Sequence, residues 1–374
     1  MAAVACLALF GAIIWWSLLL VPWRPWSTRE QIEADTKIKN AQLDDITVLI
    51  PARNEAPFIE QTLVALSKQG SGLRIIVVDD QSDDETAEQA KFYGAWVISG
   101  VTPPTGWSGK LWALEQGLHE VRTPYVLLLD ADIELTPGIV ATLRAKARKE
   151  KLALVSLMAE LPLERFIERM LMPAFIFFFK LLYPFSLANK PTSRVAAAAG
   201  GCILVETQAL RRIGAFAGLH DALIDDCTLA TRIKQANLRI WVGLSHSARS
   251  QRGYDELKPI WEMVARTAYT QLNYSSVLLA ICTLVMVCMF WIAPFAIFFL
   301  PDPTIFVIGL LTWAAMFLTY IPILVYYRRS LLWGFTLPII GTLYLAMAWT
   351  SAIRYWQGER ASWKDRRYES NTQN

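Results

Sequence analysis

The chain has 374 residues, enough for one large domain together with membrane segments. Hydrophobic residues make up 54% of it and mean hydropathy is +0.32, more than an ordinary soluble enzyme carries, with the excess at the two ends. A formal net charge of +3 implies no nucleic-acid partner, and five cysteines without a C-x-x-C spacing suggest neither a zinc site nor a disulfide framework.

Ala2–Trp23 is uncharged and long enough to span a bilayer. Arg24 and Arg29 follow it, which places the N-terminus outside and this flank in the cytosol. No basic stretch or small-residue cleavage site marks it as a signal peptide. Residues 1–26 therefore read as an anchor, and 27–45 as a polar linker or short amphipathic helix. From Ile46, buried-type strands alternate with helices: Ile46–Ile50, Leu73–Val78, Ala95–Ser99 and Tyr125–Leu129 are the strands. Such alternation predicts an α/β domain with a largely parallel sheet covered on both faces.

The strands end in chemistry. Ile46–Ile50 runs into Pro51-Ala-Arg53-Asn-Glu55, Leu73–Val78 into Asp79-Asp80, and Tyr125–Leu129 into Asp130-Ala-Asp132. Open α/β sheets bind ligands at the carboxyl ends of their strands. Side chains alternate along a strand, so Asp130 and Asp132 can point the same way and offer hard oxygens to Mg²⁺ or Mn²⁺. The same acids would also serve as helix caps or solvated turns. Lys110 follows Gly109 at a helix start, where it would neutralise a phosphate or lie on the surface; the segment is not a P-loop.

Phe166–Leu187 is very apolar yet carries Glu168, Arg169 and Lys180, which suits a segment in the bilayer interface or a buried core helix. Gly200-Gly201 permits close approach of a ligand to the backbone, or a bend. Asp225-Asp226 opens a helix, where the dipole favours ionised carboxylates and a general base is well placed. His246, in the predicted polar loop Ser245–Arg252, is a candidate third metal contact or a plain loop histidine. The predicted domain ends near residue 272, with Arg266 on an amphipathic helix. Val277–Leu300, Thr304–Tyr327 and Leu331–Ile353 are apolar enough to span, forming a bundle over 273–356, and 357–374 is a basic tail. Three full spans would put that tail outside, against the positive-inside rule, so Leu331–Ile353 reads as re-entrant or interfacial, or Phe166–Leu187 dips into the bilayer.

Together, Pro51-Ala-Arg-Asn-Glu55, Val77-Val-Asp-Asp-Gln-Ser82, Gly109-Lys-Leu-Trp-Ala-Leu114, Asp130-Ala-Asp132 and Asp225-Asp226-Cys-Thr-Leu-Ala-Thr-Arg232 resemble the family-2 glycosyltransferases over roughly Ile46 to Arg266. The membrane layout is most similar to the hopanoid-biosynthesis-associated branch. The resemblance implies a GT-A fold, a Rossmann-like mixed sheet that binds a nucleotide-sugar, between N- and C-terminal transmembrane helices. It implies a multi-pass protein of a bacterial inner membrane with a cytosolic catalytic domain. Asp79 would bind the base of a nucleotide such as UDP, Asp130 would lie by the ribose and diphosphate, and Asp132 would ligate the metal. Asp226 would be the general base, with Asp225 in place of the family's Glu. Pro51, Arg53, Glu55, Asp80, Lys110, Gly201 and Arg266 complete the expected substrate contacts, and Asp130 and His246 the metal set. The reaction would be inverting transfer of one sugar to a lipid acceptor. At the family's Gln-x-x-Arg-Trp motif this chain reads Met263-Val-Ala-Arg266-Thr267, which disfavours the alternative of a processive polysaccharide synthase. A non-catalytic scaffold is the other alternative.

Overall fold

The computed structural model describes residues 2–35, 37–38, 41–220, 222, 224–300 and 302–359, and the backbone of 362–363 and 366–367. Most of the predicted basic tail lies outside the described residues. The chain folds as two compact units. One comprises residues 30–162, 187–253 and 361–374; the other comprises residues 1–29, 163–186 and 254–360.

The first unit is built on β1 (Ile46–Ala52), β2 (Arg74–Asp79), β3 (Trp96–Ser99), β4 (Tyr125–Leu129), β5 (Ile133–Leu135), β6 (Leu154–Glu160), β7 (Cys202–Glu206) and β8 (Ile240–Ser250). They form one sheet in the order β3-β2-β1-β4-β7-β6-β8-β5. β1 to β4 are mutually parallel, as are β6 and β8. β7 runs antiparallel to β4 and β6, and β5 antiparallel to β8. The sheet is thus mixed, where strand–helix alternation alone predicts a largely parallel one. β7 is reached only after the long excursion through 161–201, so no short right-handed crossover constrains its direction.

β1 and β4 are buried along their whole length, because apolar side chains leave both faces. Val48, Ile50, Val77 and Leu127 pack on one face; Leu49, Ile76, Val78 and Leu128 pack on the other. Each such side chain contributes about 1.5–3 kcal/mol on burial. Helices therefore cover the sheet on both sides, and only its edges remain for polar work.

Two polar stretches differ from expectation. β8 continues to Ser250, so His246 lies in a strand rather than a loop. Cross-strand pairs make a strand tolerable there: Glu160 on β6 engages His246 Nδ1 at 2.8 Å and Arg249 Nε at 3.0 Å. Nor is the start of the 27–45 stretch a helix or a loose linker. Gln31 pairs with Leu244, and Glu33 accepts hydrogen bonds from Ser247 Oγ at 2.6 Å and the His246 amide at 2.9 Å.

The second unit is helical. Pro303–Tyr326 and Leu331–Trp356 are each long and apolar enough to cross a bilayer, the latter beginning in a 3₁₀ turn. Leu257–Gln271 and Ser276–Phe290 would together make a third span but meet at 117°. The predicted span Val277–Leu300 is broken at Trp291, and Ala5–Leu20 is a shorter apolar helix. Within this unit Trp15 is fully buried, donating from Nε1 to the Met289 carbonyl at 2.8 Å.

Phe166–Leu182 is a helix that packs against the other helices of this unit along one face, leaving Phe166 and Leu182 exposed. Phe177 meets Tyr320 with ring centres 5.1 Å apart, Phe178 meets Tyr344 at 4.9 Å, and Tyr344 Oη donates to the Leu171 carbonyl at 2.9 Å. Glu168, 1% exposed, is tolerated because its carboxylate accepts from the amides of Glu164, Arg165 and Tyr254 at 2.8, 2.9 and 2.6 Å. Glu168→Ala should therefore destabilise the full-length protein by about 2–3 kcal/mol, since three amides lose a charged acceptor. Thermal unfolding in detergent checks it; an unchanged midpoint would mean that water replaces the carboxylate without loss.

Candidate active site

Three parallel strands, β2, β1 and β4, deliver Asp79-Asp80, Pro51–Glu55 and Asp130–Asp132 to one edge of the sheet. Helix Gly109–Leu118 brings Lys110 to that edge. Ser108 caps this helix by accepting from the Leu111 amide at 3.2 Å. The preceding loop is tied down: Trp107 packs on Trp112 and His220, and the Ser108 amide donates to the His220 carbonyl at 3.2 Å. Helix Asp225–Gln235 supplies the second pair of acids at its N-terminus.

These elements enclose a hollow lined by Pro51, Lys110, Asp130, Gly200, Asp225 and Asp226, with an apolar back wall that includes Leu114, Leu128 and Phe216. Lys110 Nζ lies 2.6 Å from Asp130 Oδ1. Asp226 Oδ1 accepts from the Cys227 amide at 2.7 Å, and the Gly200 amide also donates to this carboxylate. Burial is the main reason the Asp226 carboxyl is pushed up to about 7, and the neighbouring charge of Asp225 adds to it; the two amides and Lys110 oppose. Burial alone would lower the Lys110 ammonium, but Asp130, Asp225 and Asp226 outweigh it and raise it. The lysine therefore stays charged while Asp226 is poised to exchange a proton near neutrality.

Beside the hollow is a second ionic group. Arg252, just past the end of β8, donates from Nε to Asp132 Oδ2 at 3.0 Å and from Nη2 to Glu55 Oε2 at 2.6 Å. Its guanidinium carbon lies 4.6 Å over the Phe58 ring. Burial and then Asp130 raise the Asp132 carboxyl, against the pull of Arg252. Asp130 and Asp132 thus take separate cations instead of facing one way. They sit in a turn between β4 and β5, where strand alternation no longer governs direction.

At the end of β2, Asp79 Oδ1 is buried without a hydrogen-bond partner, while Oδ2 is 3.4 Å from the Ser82 amide. Arg53 does not reach into the hollow. It donates to the carbonyls of Asp80 and Gln81 at 2.6 and 2.8 Å, bracing the turn after β2. Asp80 is fully buried, and its amide donates to the Ala52 carbonyl at 2.8 Å.

The other expected residues lie elsewhere. A side chain on Gly201 would meet Ile133, and its carbonyl accepts from the Asp130 amide; its neighbour Gly200 is the one that lines the hollow. His246 is held by Glu160 and does not join the aspartates. Arg266 belongs to the helical unit, in the break between Leu257–Ala265 and Ala268–Gln271. Arg252 is the residue the sequence reading missed; Gly200 was read only as half of the Gly200-Gly201 pair, with Gly201 expected to make the contact. The place of Arg252 was hidden because Ser245–Arg252 reads as a polar loop, whereas β8 runs on to Ser250 and carries Arg252 to the acids.

Among the described residues no three acidic, histidine or cysteine side chains converge to hold a metal. The donor set therefore does not fit a resident, all-protein cage. It does fit a divalent cation that arrives with a diphosphate, which typically needs only one or two carboxylates from the protein.

Residues 47–214 match the family described as Glycosyl transferase family 2, and the mixed sheet has the GT-A fold. Among solved structures, the chain is similar to the mannosyltransferase PcManGT from Pyrobaculum calidifontis in complex with GDP-Man and Mn²⁺. That likeness has a TM-score of 0.58 at 17% identity and covers 95% of this chain and 100% of that one. Among curated proteins, it is 32% identical over 136 residues to 4,4'-diaponeurosporenoate glycosyltransferase of Staphylococcus haemolyticus, covering 35% of this chain and 36% of the relative. To the protein of the same name from Staphylococcus aureus (strain bovine RF122 / ET3-1) it is 38% identical over 106 residues, 28% of each. The chain thus spans about a third of the length of the curated relatives it matches.

Proposed function

We propose that the chain transfers one sugar from a nucleoside-diphosphate sugar, expected to be a UDP-sugar, to the hydroxyl of a membrane lipid, with inversion. The observation that carries this is the ionic row in one unit: Asp226, Lys110, Asp130 and then Asp132. It offers a base near neutral pKa and a fixed cation beside paired carboxylates.

In this reading the Asp79 carboxylate, with one oxygen unpartnered, accepts from the nucleotide base. Lys110 neutralises the diphosphate as a point charge. A Mg²⁺ or Mn²⁺ that reached Asp132 in competition with Arg252, or Asp130 in competition with Lys110, would supply Lewis-acid stabilisation of the leaving diphosphate. Asp226 takes the proton of the acceptor hydroxyl as its oxygen bonds to the anomeric carbon; the bond to the diphosphate breaks, and that bonding pair leaves with it. A carboxylate acceptor would meet like charge at Asp225 and Asp226, so a hydroxyl acceptor suits this pair better.

Two things support a lipid acceptor. The chain carries helices apolar enough to cross a bilayer, and its curated relatives are named for 4,4'-diaponeurosporenoate. That name denotes a carboxylate, so the hydroxyl assigned here rests on the paired acids and the base near neutral pKa, not on the relatives. A hopanoid-type lipid of the inner membrane is the specific candidate from the sequence resemblance.

The test uses the full-length protein in vesicles with UDP- and GDP-sugars and bacterial lipid extract. Nucleoside diphosphate release should require lipid, fall at least about tenfold with a chelator, and yield a lipid one sugar heavier by mass spectrometry. Bound nucleotide without any release would favour the scaffold reading, and a ladder of long products the polymer synthase.

A further inference from the structure

We infer that Gly200 sets the size of the acceptor's seat: its missing side chain leaves open the space between Asp226 and Lys110 into which the reacting hydroxyl must fit. This rests on the function proposed above and names the residue that determines what reaches the base.

A Cβ at Gly200 would lie 3.5 Å from Asp226 Oδ2, 3.7 Å from Asp226 Cβ and 3.6 Å from Lys110 Nζ. These are ordinary contact distances, so alanine fits the site without clash. Nor does the backbone require glycine, since Gly200 is not in the left-handed region. Other glycines here have structural reasons. A Cβ on Gly117 would come 2.3 Å from Leu49 Cδ1, and one on Gly201 3.2 Å from Ile133 Cδ1. At Gly200 packing and conformation are both permissive, so what the glycine provides is room.

That room has chemical value because of what borders it. On one side is the carboxylate that would take the proton, on the other the ammonium that would face the departing phosphate. A methyl group placed there touches both. A lipid hydroxyl brings its own carbon skeleton and would be pushed off Asp226. Water is smaller and can still approach. The Gly200 amide that donates to Asp226 is unchanged in an alanine variant, so Gly200→Ala tests the space and not the hydrogen bond.

The experiment compares wild type with Gly200→Ala and Gly200→Val as full-length proteins in vesicles, with the UDP-sugar that gives the greatest release in wild type. Lipid-dependent transfer, lipid-independent hydrolysis of the same UDP-sugar, and UDP binding are measured together. In hydrolysis the water oxygen bonds to the anomeric carbon, its proton goes to Asp226, and UDP leaves with the bonding pair. Transfer should fall about 10²-fold in Gly200→Ala and further in Gly200→Val, from displacement of the reacting atoms by an ångström or so. Hydrolysis should fall much less than transfer, because water is smaller than the lipid skeleton, so the ratio of transfer to hydrolysis should drop at least about tenfold. The ratio of transfer to hydrolysis does not depend on how much variant folds. A ratio equal to that of wild type would overturn the inference, as would equal loss of both reactions. Failure of wild type to glycosylate any lipid would instead overturn the proposed function itself.

Discussion

Asp226→Asn is expected to lose lipid-dependent transfer by about 10²–10⁴-fold while still binding UDP, because the amide keeps the shape of the carboxylate and cannot take a proton. The wild-type pH profile should carry the same signature. Below its raised value Asp226 is protonated and cannot act as base, so kcat/KM for transfer should rise with pH through about 7. Stability moves the other way. The folded carboxyl titrates near 7 and its ordinary value is 3.8, so between these the folded state holds the proton more tightly than the unfolded chain. Stability therefore falls as pH rises across that window, and the loss is complete above it. Asp226→Asn removes this cost. It should unfold at a higher temperature than wild type at pH 8 and at nearly the same temperature near pH 4. Partial exposure and the shared field of Asp225 hold the gain to on the order of 1–2 kcal/mol. An acid limb unmoved from the ordinary carboxylate range, or a variant that still transfers at more than a tenth of the wild-type rate, would assign the base elsewhere.

The parts of this site legible in the sequence were those set by local pattern. Runs such as Val126–Leu129 and Ile75–Val78 can only be strands buried on both faces, and the acids that follow them can only sit at the strand ends. Lys110 was legible from Gly109 at a helix start. What the sequence withheld were the choices made by distant segments. Asp132 and Arg252 are 120 residues apart, and nothing local tells Asp132 to take that cation rather than share one with Asp130. Gly200 and Gly201 are adjacent and chemically identical; only the register of β7 decides which of them faces Asp226. His246 was read as a loop residue because Ser245–Arg252 is polar. The contacts of Glu160 with His246 and Arg249 that keep it in β8 come from another strand. In Phe166–Leu182 the burial of Glu168 could not be read locally; it depends on the three amides that converge on its carboxylate.

Arg252 bears on the metal question, and its removal should have the second largest effect. The guanidinium bridges Asp132 and Glu55, whose side chains are 15% and 9% exposed, while its own is 34% exposed. Arg252→Ala leaves two largely buried carboxylates facing a lost cation. Breaking a fully buried pair costs about 3–5 kcal/mol; the partial exposure of the arginine brings the expectation to roughly 2–3 kcal/mol. Arg252→Lys should fall between, because a point charge reaches one carboxylate and cannot fork to both. The same arginine occupies Asp132 Oδ2, an oxygen that a divalent cation would use. Metal and arginine then compete, and the alanine variant should gain more thermal stability from added Mn²⁺ than wild type does. Thermal unfolding of the full-length variants with and without Mn²⁺ reads this directly, with no need of catalysis. Equal stabilisation of wild type and Arg252→Ala by Mn²⁺ would mean that the cation does not use the oxygen held by Arg252, which would leave it Asp130 and the other oxygen of Asp132.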